Sequence, residues 1–184
     1  MNKTAIDNEQ KKWLKHTWDD YPPEWFITFH WNTLPKKIET VESYVEEFKL
    51  WFRRKFHWKI VKRQTRGTRV PFFPQGVGMQ FFHERSEMYH KDKLITPFHT
   101  HLHLSNTRGY FSDEYQVKNF ILELIKDKKV KQLKKLKPEL VVKRWNDDHH
   151  ANYNIDCRKK KRDEYIVGKP DLDIFSSDLL NTHF

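Results

Sequence analysis

An α+β domain, with a five-stranded antiparallel sheet and helices packed mainly on one face, is the fold class this sequence predicts. Three observations carry that expectation. Apolar residues recur at every second position in several short segments and at three- and four-residue intervals in two longer ones. The segments follow one another in the order β-α-β-β-α-β, then a helical stretch and a short closing strand, a pattern of antiparallel sheet with helices laid against it. Aromatic residues make up 15% of the 184-residue chain, with fourteen Phe and seven each of Trp and Tyr, so a core can be built largely from rings.

Residues 1–20 form a polar lead-in with partial helical character, and residues 21–184 form a single domain, which suits a chain of this length. After Pro22-Pro23, the run from Trp25 to Trp31 alternates. Trp25, Ile27, Phe29 and Trp31 share one face and Thr28 and His30 the other, as in a strand. From Glu39 to Phe56 the period changes. Val41, Tyr44, Val45, Phe48, Trp51, Phe52 and Phe56 form the stripe of an amphipathic helix. The basic stretch Lys59–Arg69 contains Gly67 and predicts a loop, which Pro71 and Pro74 end.

Val77–Arg85 predicts a second strand, with Gln80, Phe82 and Glu84 on one side and Met79, Phe81 and His83 on the other. Residues 86–97 predict a polar hairpin connection, and Phe98–Ser105 a third strand. Asp113–Lys126 carries Val117, Phe120, Ile121, Leu124 and Ile125 at helical spacing, with Ser112 as the N-cap. The Lys-rich run 126–137 continues that helix or loops out. Leu140–Val142 predicts a short strand, residues 147–161 a helix, and Tyr165–Val167 the last strand.

Lys and Arg number 35 against 25 Asp and Glu, a formal charge of +10. An excess of this size favours a polyanionic partner, nucleic acid first. No apolar run approaches the ~20 residues that span a bilayer, and the polar start MNKTAIDNEQKKWLK lacks a secretory h-region. The single cysteine, Cys157, excludes an intrachain disulfide and a multi-Cys zinc module. The expectation is an unsecreted protein of the cytoplasm or a host-cell nucleic-acid compartment, with no membrane partner.

The strongest signal is the segment Phe98-His99-Thr100-His101-Leu102-His103-Leu104-Ser105. In a strand its three histidines point one way, while Thr100, Leu102 and Leu104 point into the core. Imidazoles at alternate positions, about 7 Å apart along the strand, converge on one divalent ion if a neighbouring strand supplies a third ligand. Glu84 is the candidate for that oxygen; His83 faces the other side unless a bulge intervenes. A site of His101, His103 and Glu84 suits Mn²⁺ or Mg²⁺, with water and phosphate oxygens completing the shell. The plain alternative is a surface strand whose histidines are solvated or hydrogen-bonded.

These residues resemble the HUH endonuclease superfamily, and within it the replication-initiator (Rep) nuclease domain. Phe26-Ile27-Thr28-Phe29 looks like the family's first-strand motif, and His101-Leu102-His103 like its His–hydrophobic–His metal motif. Glu84 matches the extra metal ligand of the Rep branch, and the element order is similar over roughly residues 22–175. The resemblance implies a five-stranded antiparallel sheet and nicking of single-stranded DNA at a replication origin. It further implies a tyrosine nucleophile that becomes joined to the 5′ phosphate.

The family carries that tyrosine on a helix after the fourth strand, commonly as Tyr-x-x-Lys. Here the region reads HHANYNIDCRKKKRDEY, and Tyr153 is its candidate, with Lys160 as the accompanying cation. The nearest following lysine is Lys159, so the usual spacing is absent. A two-tyrosine frame fits with Cys157 in the second position, and a third frame, Asp156-Cys157-Arg158-Lys159, leaves no such nucleophile. Tyr165 is the other tyrosine in reach. Thr28 and His30 share a strand face that can line the site.

Single-stranded nucleic acid needs a cationic track and stacking rings. Arg63, Arg66 and Arg69 of the basic loop and Arg158 of the run 158–162 are the DNA-contact candidates, with Trp58 and Trp31 as rings. No phosphate-binding loop of the Gly-x-x-x-x-Gly-Lys type occurs in the sequence, so a helicase would be a separate chain. Competing readings are a relaxase or transposase with the same chemistry, and a DNA-binding protein of the same fold that has lost nicking. A phosphoesterase with paired His-x-Ser/Thr motifs has His103-Leu104-Ser105 as one half and lacks a convincing second.

Overall fold

The computed structural model describes residues 12, 15–16, 18–19, 22–65, 77–85, 88–95, 97–107, 109–137, 139–146 and 171–173. Its strands are β1 (Pro23–Phe29), β2 (Gly78–Arg85), β3 (Met88–His90), β4 (Lys93–Ile95), β5 (Phe98–Ser105), β6 (Val141–Arg144) and β7 (Asp171–Asp173). Its named α-helices are α1 (Ile38–Thr65) and α2 (Glu114–Ile125), and the described residues 12, 15–16 and 18–19 are also helical. The class is α+β. Four strands, ordered β6-β1-β5-β2, make the body of an antiparallel sheet, and the three-residue β7 pairs along the outer edge of β2. Among the described residues no helix is long and apolar enough to cross a membrane.

Alternation sets the two faces. Ile27 pairs with Leu102, which pairs with Phe81, and Trp25 with Leu104, which pairs with Met79. All six are buried, and they form the floor of the core. The α1 stripe closes over this floor: Phe48 lies 5.0 Å from Phe29 and 6.1 Å from Phe81 between ring centroids. Farther along α1, Phe52 meets Phe120 of α2 at 4.9 Å. Trp31 belongs to this interior at 2% exposure, its indole donating to Thr100, so it is a core ring and no stacking platform for bases.

Several boundaries differ from expectation for identifiable reasons. The basic stretch from Lys59 is no loop up to Thr65, because α1 continues through it. Lys, Arg and Gln are good helix formers, and that stretch has no Pro or Gly to stop it. The N-cap of α2 is Asp113 in place of Ser112: its carboxylate accepts from Gln116 N at 2.9 Å, while Ser112 donates to Asp113. The 86–97 connection contains strands β3 and β4. Lys91 and Asp92 between them have φ of 49° and 60°. That two-residue left-handed turn matches the twist of a hairpin, but it lacks the Asn-Gly signature that would announce it.

The Lys-rich run after α2 loops out and is held down by α1. Glu47 accepts the backbone N–H groups of Lys131, Gln132 and Leu133 at 2.9, 2.5 and 2.8 Å. Val130, Leu133 and Leu136 are buried beneath it. The expected helix over 147–161 and the strand Tyr165–Val167 lie outside the described residues.

Candidate functional site

β5 is the middle strand of the sheet, and its histidines occupy the face turned away from α1 and α2. The register lays His101 between Thr28 and Phe82, His103 between Phe26 and Gln80, and His99 beside Glu84. No bulge interrupts β2 against β5. His83 therefore stays on the core side, with Nδ1 3.0 Å from Thr100 Oγ1.

Three environments follow from these positions. His101 is buried, stacked on Phe26 at 5.1 Å, with Nδ1 3.0 Å from Thr28 Oγ1. Its Nε2 lies 3.1 Å from Nε2 of His99, the two rings crossing at 89°. His99 is only half-buried, and the exposed His30 stacks above it at 6.0 Å. Partial burial, reinforced by His99 and Lys137 and opposed by Glu139, holds the His30 imidazole below its usual pKa.

His103 is different. It is 1% exposed and sits among four rings: Phe82 at 4.4 Å, Trp145 at 4.5 Å, Trp18 at 5.4 Å and Phe26 at 5.7 Å. Trp18 belongs to the lead-in and donates its indole N–H to Gln80 Oε1 at 2.7 Å. The second Gln80 polar atom, Nε2, is buried with no hydrogen-bond partner among the described residues. Neither tryptophan has a sequence signal linking it to the histidine strand, because both reach the sheet through tertiary packing.

Among the described residues no group of three or more His, Cys, Asp or Glu side chains is placed to hold a metal ion. Two nitrogen donors do converge, those of His99 and His101, and the carboxylate-bearing residue in register with His99 is Glu84. Two imidazoles would suit Mn²⁺ or Mg²⁺ only if carboxylate, water or phosphate oxygens filled most of the shell. Of the other expected residues, Tyr153, Lys160, Arg158, Arg66 and Arg69 lie outside the described residues. Arg63 belongs to α1, whose described side chains pack on the opposite face of the sheet from the histidines.

Three cations on the helical side are engaged with local partners. Lys55 and Lys59 both reach Glu123 and the Phe120 ring, and Arg54 lies over Trp51. Trp58 is an exposed ring on this side, at 65%. On the histidine side, exposed Lys143 of β6 is in register with Phe26, a cation that sequence reading did not single out. Comparison with known proteins finds no matching family model, no matching curated protein and no matching solved structure.

Proposed function

We propose that this protein is a metal-dependent endonuclease and strand transferase of the HUH type, with the five-stranded sheet of the Rep branch. It would nick and rejoin single-stranded DNA through a covalent 5′-phosphotyrosine to start rolling-circle replication of a plasmid or virus. The carrying observation is the histidine face: three alternate imidazoles on the middle strand, beside Thr28 and in register with Glu84. A divalent ion bound there supplies Lewis-acid polarisation of a phosphodiester.

The remaining work falls to the chain. In the proposed step the Tyr153 phenol oxygen attacks the scissile phosphorus in line. The P–O3′ bond breaks, and the departing 3′ oxygen ends as a hydroxyl. A phenol has an ordinary pKa of about 10, so Lys160 is assigned to stabilise phenolate and phosphate charge. The phosphodiester energy is kept in the tyrosyl linkage, and a later 3′ hydroxyl reverses the step. The net charge of +10 supports the polyanionic substrate, and a separate helicase chain would open the duplex.

An origin-like single-stranded oligonucleotide with Mn²⁺ should give a covalent adduct of reduced gel mobility, lost in Tyr153→Phe. An adduct that persists in Tyr153→Phe moves the nucleophile to another residue. Tight oligonucleotide binding with no adduct on any substrate selects the nicking-deficient reading, which the irregular Tyr153–Lys159 spacing favours. A relaxase or transposase role would show as strand transfer between non-origin substrates.

A further inference from the structure

The two nitrogen donors that converge share only His101 with the His–hydrophobic–His motif. His99 and His101 hold their Nε2 atoms 3.1 Å apart with rings at 89°. Two nitrogens each about 2.1 Å from one ion, at right angles across it, stand about 3.0 Å apart. The other nitrogen of His101, Nδ1, is 3.0 Å from Thr28 Oγ1. With the proton on Nδ1 donated to Thr28, the Nε2 lone pair faces His99, as for a ligand histidine held by an outer hydrogen bond. With that tautomer and no ion, the 3.1 Å contact is a hydrogen bond in which His99 Nε2–H donates into the same lone pair, so the assignment holds in both states.

His103 is as buried as His101, at 1% against 3%, and differs from it in the rings that enclose it. At 1% exposure, within a cage of Phe26, Phe82, Trp18 and Trp145, it leaves little space for the water and phosphate oxygens that Mn²⁺ or Mg²⁺ retains.

We propose that the ion-binding pair of this chain is His99 and His101, that Thr28 is a positioning residue setting the His101 tautomer, and that His103 is a structural histidine clamped among rings. This rests on the metal-dependent reading above and reassigns its ligands, moving the pair two residues toward the start of β5.

Mn²⁺ binding to the full chain, read from the electron paramagnetic resonance signal of the free ion, tests it. His99→Ala and His101→Ala should each weaken binding by about tenfold or more, and Thr28→Val by about tenfold, with recovery in Thr28→Ser. His103→Phe keeps a ring in the cage and should leave the affinity unchanged. Because that variant can fail to fold, long-range ¹H–¹⁵N spectra of histidine-labelled wild-type protein with Zn²⁺ give an independent readout. Nε2 of His99 and His101 should move to the coordinated range, and both His103 nitrogens should stay. Coordination at His103 in place of His99 overturns the reassignment and leaves the metal-dependent reading standing. Thr28→Val binding like wild type removes the positioning role, and no binding of either ion by wild type overturns both readings.

Discussion

Phe48 stands where the helical layer meets the sheet, fully buried among Phe29, Phe52 and Phe81. Replacing it with Ala removes a ring that touches both Phe29 of β1 and Phe81 of β2 from α1. Phe48→Ala should cost about 3–5 kcal/mol, measured as a lower urea midpoint at unchanged m-value. A loss below ~1 kcal/mol would mean that this junction is not the packing centre. The histidines are the second case where single side chains decide. Strand alternation shows that His99, His101 and His103 share a face. It does not show that two of them meet nitrogen to nitrogen while the third is enclosed by tryptophans from residues 18 and 145.

The elements differ in how openly their ends are written. α2 has a polar residue at its start and an apolar stripe of Val117, Phe120, Ile121 and Leu124, so its span is legible to within a residue. Ser112 and Asp113 are both good caps, and only backbone geometry selects Asp113, whose φ of −150° and ψ of 169° aim its carboxylate at Gln116 N. Asp113→Ala should therefore cost about 1 kcal/mol in urea unfolding, and Ser112→Ala clearly less. Equal losses would assign the cap to both residues. The end of α1 was obscured by composition, since a basic run reads as solvent-exposed loop or as helix equally well. The β3–β4 hairpin was hidden for another reason: Lys91 and Asp92 adopt a left-handed turn usually given to Asn and Gly.

Between α1 and α2, aromatic packing is rimmed by one acid and two lysines. The Lys55 ammonium, 2.8 Å from Glu123, holds that carboxyl below its usual 4.5 by hydrogen bonding. Partial burial opposes the shift, and the charges of Lys55 and Lys59 add to it. A folded-state pKa below the unfolded value means that the contribution is present above the ordinary carboxyl range. It is lost as the pH falls through the lower folded value. Glu123 is 53% exposed, so the contribution is under about 1 kcal/mol. The urea-midpoint difference between wild type and Glu123→Gln should be present at pH 7 and vanish once the pH has fallen through the lowered folded-state value, and 1 M salt should shrink it. A difference that is constant with pH would exclude the ion pair as its source.

The α+β class, the strand carrying the histidines, the ring-rich core stripe of α1 and the positive charge could all be read along the chain. Each depends on spacing between near neighbours, which backbone periodicity converts directly into a face. The pairing of Thr28 with His101, 73 positions apart, depended on packing that no local pattern encodes. The same holds for the cage around His103 and the anchoring of the Lys-rich loop by Glu47. Such contacts arise when distant segments compete for the same buried volume, and strand register together with side-chain rotamers then selects which donor meets which acceptor.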